Sequence, residues 1–197
     1  KRTNCSTVKE PMLSSVFYWV YKIERSLNIR TAKIDHVAQL VEWINLADRA
    51  QSERSWTTEK AFVDGIRITN EQLSGDLSWS NFKLFIGENE QGLLVACIGL
   101  SIDHNSVEIG TFAIDSSIQN LGYGKQMLNY VEVYVAQSCM EVRDLIMYVL
   151  DVRSELIAYY QRRGYQITGH TAPYPVNANV GQPLVPIQLI EMKKAII

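Results

Sequence analysis

The chain has 197 residues, 47% of them hydrophobic and 20% charged, with a formal net charge of −2. That length and composition fit one globular domain with a substantial core. No basic run or stripe marks a nucleic-acid surface, and no apolar stretch reaches the roughly 18 residues a membrane span needs, so neither partner is expected.

In chain order, residues 1–26 read as an N-terminal extension. Met12 to Tyr21 is apolar and aromatic and follows Lys1 and Arg2, as in a signal peptide. Lys22, Glu24 and Arg25 come next instead of a small-residue cleavage site. The expectation is an added helix that packs on the domain or on a second subunit, as in a homodimer. The chain does not begin with Met, as expected of a processed chain or a fragment.

Residues 27–197 are expected to form one domain. Asn28 to Lys33 reads as a strand. Asp35 is placed to cap a helix whose apolar positions Val37, Leu40, Val41, Ile44 and Ala47 repeat at helical spacing. Thr57 is read as the cap of a second helix carrying Ala61, Phe62 and Ile66, with Thr69 to Ser80 as its end and a loop. Phe82 to Glu88 and Leu93 to Ile102 are strands joined by Asn89-Glu90-Gln91-Gly92. Asp103 to Ser106 is a turn into a strand at Val107 to Asp115.

Met127, Leu128, Val131 and Val135 form a helical stripe. Leu145 to Leu150 is almost continuously apolar, as in a strand covered on both faces. Glu155 to Arg163 is helical and Gly164 ends it. Tyr165 to Thr168 starts a strand, His170 to Pro186 is a long loop with four of the five prolines, and Ile187 to Met192 alternates as a strand. The order predicts an α/β architecture with a sheet sandwiched by helices. The three cysteines, Cys5, Cys97 and Cys139, show no metal spacing, and Cys97 sits in an apolar strand. A buried reduced thiol, and hence a cytoplasmic location, is expected.

The densest functional signal lies between Glu108 and Gly124. A strand leads into a turn, then Gln119-x-x-Gly122-x-Gly124, then a helix. The first backbone N–H groups of a helix have no internal partner and its dipole favours negative charge there, so this arrangement suits a phosphate. A glycine-bearing turn with no ligand fits the same spacing. The dinucleotide fingerprint lacks its third glycine. The P-loop lacks its hydroxyl, since Gln126 follows Gly124-Lys125.

Gln119-Asn120-Leu121-Gly122-Tyr123-Gly124 resembles the Gln/Arg-x-x-Gly-x-Gly/Ala pyrophosphate loop of the GNAT superfamily, the acetyl-CoA-dependent N-acetyltransferases. Leu156-Ile157-Ala158-Tyr159-Tyr160-Gln161-Arg162-Arg163-Gly164-Tyr165 resembles its second block, Ala-x-x-Tyr-Glu-x-x-Gly-Phe/Tyr. Both blocks occur in the family's order. Two positions depart from the pattern: Leu121 stands where the family often has a basic residue, leaving Lys125 as the nearest cation, and Arg153 stands where it often has Asn. The resemblance implies a mixed, mostly antiparallel central sheet of about six or seven strands flanked by helices, with acetyl-CoA as co-substrate.

It also implies site residues. Gln119 to Lys125 would hold the pyrophosphate, with Arg153 as a cation near the coenzyme. The backbone of Phe112, Ala113 and Ile114 would pair with the pantetheine arm. Acetyl transfer to an amine requires removal of the amine's proton and a proton for the departing thiolate. Glu108, at the offset where several members carry a catalytic Glu, is the candidate base; a solvated strand-end residue is the alternative. Tyr160, matching the second block's Tyr, is the candidate acid; a core aromatic is the alternative. Tyr159, its neighbour, is expected to point elsewhere.

His104 reads as turn chemistry. Trp56, Trp79 and the 170–186 loop are candidates for the border of the acceptor pocket, and Glu59 and Asp64 for attracting a cation. The expected activity is direct N-acetyl transfer to a primary amine of a small molecule or peptide. A non-catalytic acyl-CoA-binding module and a protein lysine or N-terminal acetyltransferase are the alternatives. A closed pocket would favour a small acceptor and an open groove a peptide.

Overall fold

The computed structural model describes residues 26–49, 59–118 and 121–196. The N-terminal extension, Thr57, Trp56, Cys5, Gln119 and Asn120 lie outside these residues. The chain runs β1 (Asn28–Thr31), α1 (Val37–Arg49), β2 (Val63–Asp64), α2 (Asn70–Ser78), β3 (Phe82–Glu88), β4 (Leu94–Ile102) and β5 (Ser106–Ile114). It continues with α3 (Tyr123–Ser138), β6 (Asp144–Leu150), α4 (Ser154–Arg162), β7 (Gln166–Pro173), β8 (Gln182–Pro183) and β9 (Gln188–Ala195).

Seven strands form one sheet in the order β1-β3-β4-β5-β6-β9-β7, and β2 pairs with β8 separately. In the seven-stranded sheet only β5 and β6 run parallel; the other neighbours are antiparallel. This is the mixed, mostly antiparallel sheet that the resemblance implied. The alternating strands send side chains to two cores. Leu100, Ile109, Met147 and Met192 join Met127, Leu128 and Val131 of α3 on one face. Leu84, Ile86 and Cys97 join Leu40 and Ile44 of α1 and Leu73 of α2 on the other.

The second helix lies further along the chain than expected. Val63–Asp64 is a strand, and α2 occupies the polar stretch read as a loop. Its signal is a capping box: the Thr69 hydroxyl accepts from Gln72 N–H, and the Gln72 side chain accepts from Thr69 N–H. One buried residue, Leu73, suffices to anchor so polar a helix. The start of the long loop is also strand, since β7 continues to Pro173 past an irregularity between Ile167 and Thr171. Its residues are almost all exposed at a sheet edge, which explains the weak hydrophobic signal.

Two irregularities shape the centre of the sheet. Cys97 and Gly99 of β4 stand opposite Ala113 and Gly110 of β5, so β5 carries an extra residue there. Such a bulge bends its strand. Thr111 within it has φ 45°, a left-handed value that a β-branched residue rarely adopts. Second, β5 and β6 pair only from Ser106/Asp144 to Ile109/Met147, although both strands continue. The two strands part beyond Ile109.

Gly99 is the residue that lets the bulge sit close. A Cβ there would lie 3.2 Å from the Gly110 carbonyl oxygen and 3.3 Å from Phe82 and Thr111 side-chain atoms. Gly99→Val is therefore expected to destabilise the fold by about 1–3 kcal/mol, through overpacking against backbone. Urea denaturation of the variant against wild type checks this.

Candidate active site

The parting of β5 and β6 opens a cavity of about 560 Å³. Its walls come from β5, β6, the start of α3, α4 and the segment after β7. Among the predicted site residues, Glu108, Phe112, Ile114, Leu121, Gly122, Tyr123, Gly124, Lys125, Arg153 and Tyr160 all line it. Ala113 does not: it is buried in the core against α1, as strand alternation turns it from its two neighbours.

At one end, β5 runs through a short turn into the N-terminus of α3. Gly122 caps that helix at φ 83°, a conformation suited to glycine. Gly124 is different. A Cβ there would meet only Ile114 and Phe112, at ordinary contact distances of 3.7 and 3.8 Å. The fold thus has room for a side chain, which would enter the cavity wall. A glycine kept in a helix at a cost of roughly 0.5–1 kcal/mol suits close approach of a ligand to the backbone. Beyond Ile109, β5 no longer pairs with β6, so main-chain groups from Gly110 to Phe112 border the cavity, where an extended ligand could pair with them.

Tyr160 projects from α4 into the same cavity and is only 7% exposed. Burial pushes its phenol well above the usual tyrosine range; neighbouring Tyr159 adds to this and Arg153 opposes it. Its hydroxyl has no hydrogen-bond partner among the described residues, so it remains available to a ligand. Tyr159 does not point away as expected. It also borders the cavity, with its ring 5.3 Å from that of Tyr160 in an edge-on arrangement. Arg153 is buried at the start of α4, where its Nε donates to Glu155.

Glu108 stands on β5 between the buried Val107 and Ile109, so it faces the opposite side of the sheet from them. Solvent reaches it through the cavity, yet the concave wall removes part of its hydration, and this burial raises its carboxyl pKa above the ordinary range. Tyr148 of β6 lies close enough for the Glu108 charge to raise its phenol, though burial and a hydrogen bond to Glu191 contribute more.

Sequence reasoning missed several wall residues. Asp48 is one, and its signal was available: it follows Leu40, Ile44 and Ala47 on the buried stripe of α1, where an acid is unexpected. Arg67, paired with Asp48 at 3.5 Å, had no periodicity to reveal it. Of the border candidates, Glu59 lines the cavity, as do Tyr174, Pro175 and Val180 of the 170–186 segment. Trp79 and Asp64 lie outside it, and Trp79 is an exposed cap of α2. His104 is exposed and paired with Glu141, as turn chemistry suggested.

A raised Glu108 pKa means that the folded chain resists ionising this group. The unfolded chain loses the proton at lower pH, so the native state loses stability as pH rises toward the folded pKa. Glu108→Gln is therefore expected to unfold at a higher temperature than wild type at pH 8. The gap should close below about pH 4, where both states of wild type are protonated. Calorimetric scans at the two pH values check this.

The model of the acetyltransferase (GNAT) family matches residues 39–165. The chain is 34% identical over 83 residues to "Uncharacterized protein YdhI" of Bacillus subtilis (strain 168), covering 42% of this chain and 49% of that protein. It thus spans about half the length of that curated relative. A spermidine N-acetyltransferase from Vibrio cholerae, solved with CoA and spermine, superposes with a TM-score of 0.65 at 14% identity, over 86% of this chain and 95% of that one. A GNAT family acetyltransferase from Elizabethkingia anophelis with acetyl-CoA bound gives 0.59 at 16% identity, over 86% and 97%. The ribosomal-protein-S18-alanine N-acetyltransferase from Escherichia coli gives 0.64 at 13% identity, over 87% and 94%. At these identities the structures share the fold.

Proposed function

The chain belongs to the GNAT acetyltransferase family, and on that premise we propose that it transfers the acetyl group of acetyl-CoA directly to a primary amine. The observation that carries this reading is the cavity between β5 and β6. It joins a glycine-lined helix N-terminus, a strand edge that has parted from β6, a partly desolvated carboxylate and a buried phenol.

The residues present fit the coenzyme. The N–H groups at the start of α3, with Lys125, suit a pyrophosphate, and Gly122 and Gly124 leave the backbone accessible. The edge of β5 around Phe112, past the point where pairing with β6 ends, suits the amides of the pantetheine arm. Bound there, acetyl-CoA supplies an activated acyl group: a C–N bond to the acceptor forms as the C–S bond breaks.

The chain's own groups handle the protons. An alkylamine, with pKa near that of Lys at about 10.4, is almost wholly protonated at pH 7. Glu108, held above the ordinary carboxylate range, takes that proton directly or through water. Tyr160 stays protonated at neutral pH and donates its O–H toward the sulfur position. No described cysteine is placed to carry the acyl group. Cys97 is buried, its Sγ–H donates to the Thr111 carbonyl at 3.2 Å, and burial raises its pKa; neither it nor Cys139 lines the cavity. This supports transfer within a ternary complex.

The far end of the cavity favours a small acceptor over a peptide. Tyr174, Pro175 and Val180 wall it, and their segment is tied down by the Tyr174 hydroxyl donating to Val180 O, by Gln72 Nε2 donating to Ala178 O and by the β2–β8 pair.

Isothermal titration with acetyl-CoA tests the coenzyme site. Gly124→Trp should abolish binding while the protein stays folded; undiminished binding would contradict the placement. Tyr160→Phe should keep acetyl-CoA affinity within a few-fold and lower kcat on the order of 10²-fold, read as thiol release.

A further inference from the structure

Two oppositely charged groups in the cavity wall keep hydrogen-bonding capacity that the described residues do not use. The Arg67 guanidinium engages Asp48 through Nε alone, at 3.5 Å, and its two terminal nitrogens have no partner among the described residues. Glu108 likewise forms no hydrogen bond or ion pair among them, and burial is the sole cause of its raised pKa. The two groups therefore do not neutralise one another. The other acids of the wall, Asp48 and Glu59, each have further interactions of their own. Of the other cations of the wall, Lys125 lies in α3, Arg162 in α4 and Arg153 at the N-cap of α4, the elements proposed to hold the coenzyme.

Arg67 is held in place. Asn45 of α1 accepts from its backbone N–H at 2.6 Å and donates to the Ile68 carbonyl at 2.9 Å, fixing the chain on both sides of the side chain. The buried Asp48, one turn along the same helix, directs the guanidinium. A planar fork with free terminal N–H groups suits a carboxylate by two parallel hydrogen bonds.

We propose that Arg67 binds a carboxylate of the acceptor while Glu108 faces its amine, so that the substrate is a small amino acid. This rests on the acetyltransferase reading above and narrows it. A zwitterion of that kind offers its carboxylate to the terminal nitrogens of Arg67, which Asp48 leaves unused, and its ammonium group to Glu108. The tied-down segment at Tyr174 to Val180 limits its size. Asn45 and Asp48 act as positioning residues.

The test is thiol release from acetyl-CoA by the full chain with the common α-amino acids, their methyl esters, the matching decarboxylated amines and putrescine. The best amino acid should exceed its ester and its amine in kcat/KM by roughly ten- to hundred-fold, the usual effect of losing a charged hydrogen bond. Arg67→Met should raise KM for the amino acid by a similar factor and erase that preference, with unchanged acetyl-CoA affinity by titration. Arg67→Lys should restore part of it. Equal or better turnover of esters, amines or putrescine would overturn the inference, as would no turnover of any amino acid while acetyl-CoA still binds. Either result leaves the family reading standing, whereas failure of wild type to bind acetyl-CoA overturns both.

Discussion

The structure depends on one constraint: β5 must run beside β6 for its first four residues and then leave it. Parallel pairing up to Ile109/Met147 joins the two halves of the sheet. Had the pairing continued, the edge of β5 would be consumed and no cavity would exist. The bulge at Thr111 bends β5 away, and Gly99 on β4 makes the room that the bulge requires. The same departure aims the strand into the turn before α3, so the sheet irregularity and the helix N-terminus are parts of one feature.

Local rules of stable folding are broken repeatedly around this cavity. A β-branched residue adopts a left-handed φ, a helix carries a glycine in its first turn, and an internal strand stops pairing with its neighbour β6 partway along. A carboxylate and a phenol sit where burial opposes their charged forms. Each lowers stability, and each faces the same space. Elsewhere the chain keeps to the rules: two apolar cores flank the sheet, and α2 has a complete capping box. Concentration of the exceptions at one place is the physical signature of a site maintained for a ligand.

Much of the fold was legible because its signals are local. The apolar stripe of α3, the near-continuous run of β6 and the hairpin between β3 and β4 identify themselves by period or turn chemistry. The helix α2 escaped because one buried leucine anchors it and its capping box sits in a polar stretch. The far part of β7 escaped because an exposed edge strand has no alternation to show. At the site, the segments around Gly122 and Tyr160 announce themselves as contiguous motifs. The acceptor end does not: Asp48, Arg67 and Tyr174 come from three distant segments that only the tertiary fold brings together. Arg67 precedes α2 in an irregular stretch and is positioned by Asn45, a contact across 22 residues that no pattern encodes. Asp48 alone carried a warning, as an acid on a buried helical stripe.

Hydrogen–deuterium exchange with and without acetyl-CoA tests the central claim that the coenzyme lies between the parted strands. New protection is expected to be confined to β5 beyond Ile109 and to the first turn of α3, with no change in β1, β3 or the outer turns of α2. Protection elsewhere, with those amides exchanging as before, would contradict it.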